Sequence, residues 1–590
     1  MEDGGQSRAL EQVKLKRSFP HGSWLARALG SYPGGLVVAL AFRGFYLVRF
    51  GDQPCGMNIN FLLEAKALRF GYDVELRMPL VRVLLAALRN AGASAAVSLG
   101  ILYLASHLLL TLGVLVLART VLGPSPRVRA SIALALALLP ALATDSGYRN
   151  ISCTLGAALF VALAALLVGR RAQPTRLMLG LMLAAGAASC RPESALCVGG
   201  LACALAVGGR RMGAGRIGAA VAAAGFVVGL LIVSSHSVGA GRGPSARIWG
   251  SYSFYAFYNA SPYLWRLLPN LQHANATATE YLRYAETARS FGGFEENGGS
   301  IVRALLSHPG KAALWFAAKP VDLLISIVLG DSFTPLVLLP LSLSVRRACR
   351  EGWRCWWAQW ASLLGVFTAP LAYATFWSQG GHAPYLLFVA PLLLLAAMWG
   401  LEPWLTQAAN VQLRYLTAGT VTAGALLVTL MGPPTSTSPV FAATARWLEA
   451  NCRSEGCLVN VLPEVLDAQT WANLQAGAPL PAKDKRAEWY VFRHFSVSFL
   501  DRVRWDRRLA QARAHGWHGP VFYLRSNTTS LPSFSDDFHP EHLLEGEPDL
   551  VGEPVVATFR DGSDLVEVFA ISPAALRGGH EDLIVEWPER

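Results

Sequence analysis

The feature that most constrains this chain is a series of apolar segments that recurs from residue 36 to residue 431. Several segments are shorter than the roughly 20 residues that a perpendicular transmembrane helix needs, so flanking residues must complete them. Since 53% of the residues are hydrophobic and only 15% are charged, the sequence predicts a polytopic α-helical membrane protein with about 11 transmembrane helices. The segments are 36–50, 95–117, 130–142, 155–168, 177–188, 195–207, 217–233, 312–341, 360–376, 386–399 and 418–431.

Positive charges cluster at the ends of alternate segments, as topology signals do. These clusters account for much of the net charge of +12, so that charge does not indicate nucleic-acid binding. The N-terminus is predicted to be cytoplasmic and the C-terminal tail extracytoplasmic, in an integral protein of the inner or plasma membrane. The clusters predicted to lie in the cytoplasm are 14–17, 119–129, 170–176, 210–216 and 346–354.

This topology divides the chain into three regions. Between residues 310 and 346 the apolar material suffices for two crossings, but the charges require an odd number. We interpret this stretch as one crossing with a re-entrant piece near Pro320, since proline interrupts helices. The predicted regions are a cytoplasmic N-terminal segment (1–32), a transmembrane domain (33–432) with outer loops 51–93 and 237–310, and an extracytoplasmic soluble domain (433–590).

The tail changes character after the last apolar segment. Strand-like runs at 459–462, 520–524 and 565–569 alternate with helical runs such as 442–449, which predicts a small α/β domain. Cys452 and Cys457 are close enough in sequence to form a disulfide if this part is exported.

The first outer loop is dense in ionisable residues and begins directly after the first apolar segment. Asp52 would lie at headgroup depth, where a carboxylate can act as a general base or ligate a divalent cation, although a Gly-Asp turn is the simpler alternative. Glu64 and Asp73 are further catalytic candidates. Glu64 can equally lie on the solvated face of a surface helix, and Asp73 can be a turn residue before a second interfacial helix at 78–88.

Polar residues in the other outer loops are candidates for substrate binding. Arg191-Pro192-Glu193 separates two short apolar segments, so Arg191 can bind a phosphate, or can pair with Glu193 and permit a tight helical hairpin. Two glycines beside His382 allow close backbone approach to a ligand. The substrate-binding candidates are Arg149, Arg191, Glu193, Lys311, His382 and Tyr385.

The order of these residues resembles the GT-C superfamily of membrane glycosyltransferases, and within it the bacterial group related to protein O-mannosyltransferases and the aminoarabinose transferase of lipid A. The resemblance covers residues 33–432. It consists of an acidic first outer loop at Asp52, the Arg-Pro-Glu hairpin at 191–193, a His-Pro element at 308–309 and a His-x-x-Tyr-Leu-Leu segment at 382–387.

The chain departs from the pattern of this superfamily at two positions. Relatives often have Asp-Glu where this chain has Asp52-Gln53, so the second carboxylate is either absent or supplied by Glu64 or Asp73. Relatives often have arginine where Pro384 stands, so Arg191, Arg149 or Lys311 would compensate.

The resemblance implies a glycosyltransferase that moves a sugar from a polyprenyl-phosphate carrier to a lipid, glycan or protein acceptor on the outer face of the membrane. It assigns Asp52 as the base that deprotonates the acceptor, and cationic side chains as stabilisers of the departing phosphate. Two alternatives are a transporter or flippase for a lipid-linked sugar and a non-catalytic envelope assembly protein. The chain has no Walker-type loop, HExxH, paired CxxC or GxSxG motif, so nucleotide hydrolysis is not indicated.

Overall fold

A computed structural model describes the chain in separate ranges that fall into two compact units. The first unit comprises Met1–Gln53, Glu64–Ala240 and Pro320–Pro434, and the second comprises Pro54–Leu63, Gly241–Lys319 and Thr435–Arg590. The residues described are 27–50, 79–138, 151–168, 173–208, 215–238, 287–293, 296–297, 301–313, 338–351, 388, 391, 394–403, 439–452, 457–460, 462, 465, 468–469, 471–472, 482–484, 489–492, 497–500, 509–510, 514, 519–527, 550, 552–562 and 564–571.

Helices dominate the described part of the first unit, and a single sheet dominates that of the second. In chain order the helices are α1 (Tyr32–Phe50), α2 (Pro79–Asn90), α3 (Ala95–Val121), α4 (Pro126–Leu138), α5 (Ile151–Leu167), α6 (Pro174–Cys190), α7 (Pro192–Gly208), α8 (Gly215–Val238), α9 (Ile301–Ser307), α10 (Leu338–Glu351) and α11 (Pro439–Asn451). A further helical segment covers residues 394–403.

Two of the described helices are long and apolar enough to cross a membrane, namely α3 and the Gly215–Ile232 part of α8. Shorter apolar helices occupy Tyr32–Val48, Ile151–Leu167 and Ser194–Val207. Large hydrophobic side chains remain exposed along several of these helices, including Val48 on α1, Val207 on α7 and Leu231 on α8. Each of these helices coincides with a predicted apolar segment, whereas the total of about 11 crossings stays a prediction.

Contacts at several points along α1 fix its direction relative to α3 and α4. Leu47 lies beside Gly100 and Tyr46 beside Tyr103, so α1 runs antiparallel to α3. Arg43 donates to the carbonyl oxygen of Leu136 (2.8 Å), near the end of α4. Since Arg129, near the start of α4, donates to the carbonyl oxygen of Gly30 (2.7 Å), α1 runs parallel to α4.

Helices α6 and α8 pack closely along a stripe of small residues. A Cβ atom at Gly225 would collide with the Cβ of Ala184, and one at Gly229 would collide with the Cβ of Ala188. Small residues four apart on both helices let the two backbones approach, as in closely packed transmembrane helix pairs. Because Gly225 and Gly229 meet alanines in the same order, α6 and α8 run parallel.

A second parallel pair consists of α10 and the 394–403 segment. Ser344 donates to the carbonyl oxygen of Ala396 (2.6 Å), and Arg347 donates to that of Trp399 (2.7 Å). In both hydrogen bonds the two partners are 52 residues apart in sequence, as expected for helices that run parallel. Arg347 also forms an ion pair with Glu402 (2.7 Å) and stacks on the Trp399 ring.

The second unit contains a seven-stranded mixed sheet with the strand order β2-β3-β4-β1-β5-β7-β6. Strand β1 pairs in parallel with β4 and β5, and the other pairs are antiparallel. The predicted strand runs overlap β1, β5 and β7, whereas β2, β3, β4 and β6 were not predicted. The strands are β1 (Cys457–Asn460), β2 (Ala482–Asp484), β3 (Trp489–Phe492), β4 (Val497–Leu500), β5 (Val521–Ser526), β6 (Val555–Asp561) and β7 (Asp564–Ala570).

Apolar side chains are buried on both faces of this sheet. On one face, Phe441 and Leu448 of α11 pack with Val459 and Leu524. On the other face, Leu509 packs with Tyr523 and its neighbours. The disulfide between Cys452 and Cys457 is formed and ties the end of α11 to the start of β1. The α11–β1 connection is therefore covalently closed.

The α6–α8 stripe generates a prediction with an internal control. Ala in place of Gly usually stabilises a helix by roughly 0.5–1 kcal/mol. We expect Gly44→Ala to behave in this way, because a Cβ there meets nothing within 4 Å. We expect Gly225→Ala and Gly229→Ala to lower the free energy of unfolding by about 1–3 kcal/mol instead, because the added methyl overpacks the interface. Thermal unfolding of the purified protein in detergent measures both, and equal effects at the three positions would contradict the packing.

The disulfide gives a second prediction. Closing so short a loop restricts the unfolded chain, and we expect the double substitution Cys452→Ser/Cys457→Ser to destabilise the second unit by about 2 kcal/mol. Cys203, a free and exposed cysteine of the first unit, supplies the control Cys203→Ser, which should leave stability unchanged. Peptide mass spectrometry after alkylation without reductant checks the bond, since alkylated Cys452 and Cys457 would show that it is absent.

Candidate functional site

Arg191 is the one residue that joins α6 to α7, and it is buried at their junction. Its extended backbone (φ −157°, ψ 153°) ends α6, and Pro192 begins α7 directly afterwards. The carbonyl oxygen of Arg191 accepts from the N–H of Ala195 (3.0 Å), in the first turn of α7. Helices α6 and α7 are therefore joined by a tight turn, as one of the two alternatives for the Arg-Pro-Glu triplet requires. We call the end of the bundle at this junction the Arg191 end.

The side chain of Arg191 points at the beginning of α5. Its Nη1 donates a long hydrogen bond to Oγ of Ser152 (3.4 Å), and only 8% of the residue is exposed. Helices α6 and α7 have 17 residues each, or about 25 Å, less than the roughly 30 Å of a hydrocarbon core. A guanidinium at their junction is consequently close to an apolar medium, where its charge interacts strongly with a ligand.

Ser194 stabilises this junction. Its hydroxyl donates to the carbonyl oxygen of Ala187 (2.5 Å) and lies 2.9 Å from that of Arg191. A Cβ atom at Gly156 of α5 would lie 3.0 Å from Oγ of Ser194 and 3.4 Å from Cζ of Phe388. The glycine thus lets α5, α7 and the chain around Phe388 meet at the Arg191 end.

Helix α2 also reaches this end. Leu80 packs against Gly186, which is about 7.5 Å from Arg191 along the axis of α6. One face of α2 is buried, including Val81, and Arg82 on this helix is only 2% exposed. The helix itself was predicted at 78–88, but the burial of Arg82 was not, because an arginine on an amphipathic helix normally faces water.

Lys311 lies in the second unit, in a compact motif formed by residues 287–313. Its Nζ donates to the carbonyl oxygen of Ser290 (2.6 Å), while the lysine itself remains exposed. Asn297 donates to the carbonyl oxygens of Phe291 (2.8 Å) and Gly293 (3.0 Å), and His308 packs edge-on against Phe291 (5.7 Å between ring centroids). These contacts hold Lys311 at the surface of the motif.

The described residues include three of the nine predicted site residues. The positions of Arg191 and Lys311 are given above. Glu193 is the second residue of α7, and only its backbone is described. Arg191 and Glu193 share one helical junction, whereas Lys311 belongs to the other unit. The predicted residues outside the described ranges are Asp52, Glu64, Asp73, Arg149, His382 and Tyr385.

Sequence reasoning missed a polar cluster inside the first unit. Arg43, Tyr46, Tyr103 and His107 are each at most 3% exposed, between α1, α3 and α4. Of these four residues, only Arg43 stood out in the sequence, because it is a charged residue within an apolar segment. In the described ranges, His, Cys, Asp and Glu side chains form no group of three that would suit a metal ion.

The Ser194 contacts predict a measurable dependence of stability on this hydroxyl. We expect Ser194→Ala to lower the free energy of unfolding by roughly 1–3 kcal/mol, because buried carbonyl oxygens lose their donor. Ser131→Ala is the matched control, since the Ser131 hydroxyl only donates within its own helix, to the carbonyl oxygen of Arg127 (3.1 Å). Thermal unfolding measures both variants. A larger loss for Ser131→Ala would contradict the role assigned to Ser194.

The chain was compared with protein-family models and with curated proteins. No family model matches it, and no curated protein matches it.

Proposed function

We propose that this protein is an integral membrane glycosyltransferase that moves a sugar from a polyprenyl-phosphate carrier to a lipid, glycan or protein acceptor. Its transmembrane bundle has about 11 crossings and a GT-C-like arrangement, and the tail forms an extracytoplasmic domain. The observation that carries the proposal is the buried guanidinium of Arg191 at the junction of two short apolar helices, beside Ser152. A fixed cation at the edge of the hydrocarbon is suited to stabilising a departing lipid phosphate.

Chain connectivity supports the convergence of other candidate residues at the Arg191 end. Arg149 precedes Ile151, the first residue of α5, by two positions, which limits the distance between their Cα atoms to about 7 Å. Tyr385 precedes Phe388 by three positions, which limits that distance to about 11 Å. Ser152 and Phe388 both belong to the Arg191 end, and the proposal therefore assigns Arg149 and Tyr385 to the same ligand as Arg191.

The direction of α1 supports the proposal that the first outer loop belongs to the Arg191 end. Helix α2, which contacts α6 near Arg191, leads through four residues into α3. Because α1 is antiparallel to α3, the end of α1 is level with the start of α3. Asp52 follows that end by two residues, so it is suited to act there as the general base that takes a proton from the acceptor. Glu64 and Asp73 remain candidates for a second carboxylate, which would also allow a divalent cation.

In the proposed reaction the acceptor oxygen or nitrogen attacks the anomeric carbon as its proton moves to the Asp52 carboxylate. The bond between that carbon and the phosphate oxygen breaks, and the polyprenyl phosphate leaves with the electron pair. Arg191 would hold the developing charge on the phosphate, with His382 and Tyr385 as further donors. The disulfide between Cys452 and Cys457 supports an extracytoplasmic location for the tail, since such bonds persist in oxidising compartments.

The proposal is tested with full-length protein in membrane vesicles supplied with a panel of radiolabelled polyprenyl-phosphate sugars. We expect Asp52→Asn to lower transfer by about 10²- to 10⁴-fold through loss of the base. We expect Arg191→Gln to lower it by about 10- to 100-fold through loss of charge on the leaving group. Arg176→Gln is the matched control, because Arg176 lies at the other end of α6, and it should transfer at the wild-type rate.

Two results would contradict the proposal. One is unchanged transfer in Asp52→Asn with Arg191→Gln also unaffected. The other is uptake of the lipid-linked sugar into the vesicles without any covalent product, which identifies a transporter or flippase.

A further inference from the structure

A second buried cation lies in the first unit. The Arg43 side chain of α1 is 2% exposed, seven residues or about 10 Å before the end of that helix. Its Nη2 donates to the carbonyl oxygen of Leu136 (2.8 Å) on α4. The guanidinium also interacts electrostatically with the hydroxyls of Tyr103 and Tyr46. Arginine stays charged in proteins, so this position holds a permanent positive charge inside an apolar bundle.

His107 completes the cluster from one turn further along α3. Its ring packs edge-on against the ring of Tyr103 (4.5 Å between centroids), and the residue is 3% exposed. In the described part of the chain, no group forms a hydrogen bond with Nε2 of His107, although that atom is shielded from solvent. A buried imidazole nitrogen without a partner costs roughly 1–3 kcal/mol, so a ligand that satisfies it is stabilised.

The charge of this cluster is unbalanced within the described residues. Glu402 is the one carboxylate whose side chain is described in the first unit, and it pairs with Arg347. Arg43 has five N–H donors, of which one binds the carbonyl oxygen of Leu136 and another faces the Tyr103 hydroxyl, and His107 adds a ring nitrogen. A set of donors around a fixed cation matches an oxyanion, and a phosphate group satisfies several donors at once.

The surroundings of α1 indicate how such an anion arrives. On the other side of this helix, Phe45 is 53% exposed and Val48 is 89% exposed. In a membrane these side chains face lipid, so a single helix separates the Arg43 cluster from the bilayer. A phosphate attached to an acyl or prenyl chain can reach the cluster with its chain still in the bilayer.

We propose that Arg43 and His107 bind the phosphate head group of a membrane lipid within the helix bundle, at a site formed by α1, α3 and α4. The identification of that lipid as a polyprenyl phosphate rests on the proposed function. The site is built from residues other than Arg191, on helices α1, α3 and α4 rather than α5, α6 and α7. Binding of the carrier lipid at this site therefore does not require the step that breaks the sugar–phosphate bond.

The test measures equilibrium binding to the full-length protein in detergent by native mass spectrometry. The probes are undecaprenyl phosphate, undecaprenol and inorganic phosphate, each titrated separately. We expect wild-type protein to retain undecaprenyl phosphate and not undecaprenol. Arg43→Gln, which keeps an amide donor for Leu136, and His107→Leu should each weaken retention about 10-fold or more. Arg43→Lys should retain most of the binding, since the charge remains.

Ser106→Ala is the matched control. Ser106 is buried next to His107, but its hydroxyl donates to the carbonyl oxygen of Leu102 (2.7 Å) in its own helix, so lipid retention should be unchanged. Thermal unfolding of each variant shows whether the bundle is intact. If Arg43→Gln unfolds like the wild type and still binds undecaprenyl phosphate with wild-type affinity, the proposal is overturned. Equal retention of undecaprenol also overturns it.

The remaining outcomes separate this site from the proposed activity. Competition by millimolar inorganic phosphate upholds the oxyanion site but overturns the assignment to a lipid. Phosphate-dependent retention in a protein that transfers no sugar upholds the site and removes the glycosyltransferase proposal. Sugar transfer that survives in Arg43→Gln together with unchanged lipid retention upholds the enzyme and removes the site.

Discussion

The architecture of the first unit depends on how it accommodates arginine side chains inside an apolar bundle. A buried guanidinium loses hydration worth several kcal/mol, and only close acceptors or a counter-charge offset that loss. Arg347, whose side chain keeps 22% exposure, contacts Glu402, the Trp399 carbonyl and the Trp399 ring. Arg191 donates a long hydrogen bond to Ser152, and Arg43 donates to the carbonyl oxygen of Leu136 beside the hydroxyls of Tyr46 and Tyr103. Each of these arginines thus has at least one acceptor within hydrogen-bonding distance.

Arg347 and Arg191 each help to fix how helices pack. The Arg347–Glu402 pair fixes the register of α10 against the 394–403 segment. Arg191 lies at a helix junction supported by Ser194 and by the close approach at Gly156, and its side chain is directed towards Ser152. A buried cation with a fixed position is what the catalytic role proposed for Arg191 requires.

Sequence reasoning located the helices well because uniformly apolar segments and the charges between them are strong signals. It located the Arg191 junction for the same reason, since a charged triplet between two short segments leaves no other place for the chain to turn. It missed the inward position of His107, because a helix that is apolar all round, such as α3, gives no periodicity to distinguish the lipid face from the bundle face. It missed the burial of Arg82 for another reason, since an arginine on an amphipathic helix such as α2 normally faces water. It also missed strands such as β2 and β6, which are an edge strand of three residues and a largely exposed edge strand.

The parallel alignment of α10 with the 394–403 segment restricts the topology beyond what charge counting achieves. Two neighbouring helices that run in the same direction require an odd number of crossings between them. Residues 352–387 include one predicted apolar segment, 360–376, and one crossing is an odd number. The same argument applies to α6 and α8, because α7 is the single helix between them in the chain. The packing of Gly225 and Gly229 against alanines of α6 fixes their relative direction. Both pairs therefore agree with the predicted alternation of crossings, and the start of α5, the end of α6 and the start of α7 lie together at the Arg191 end.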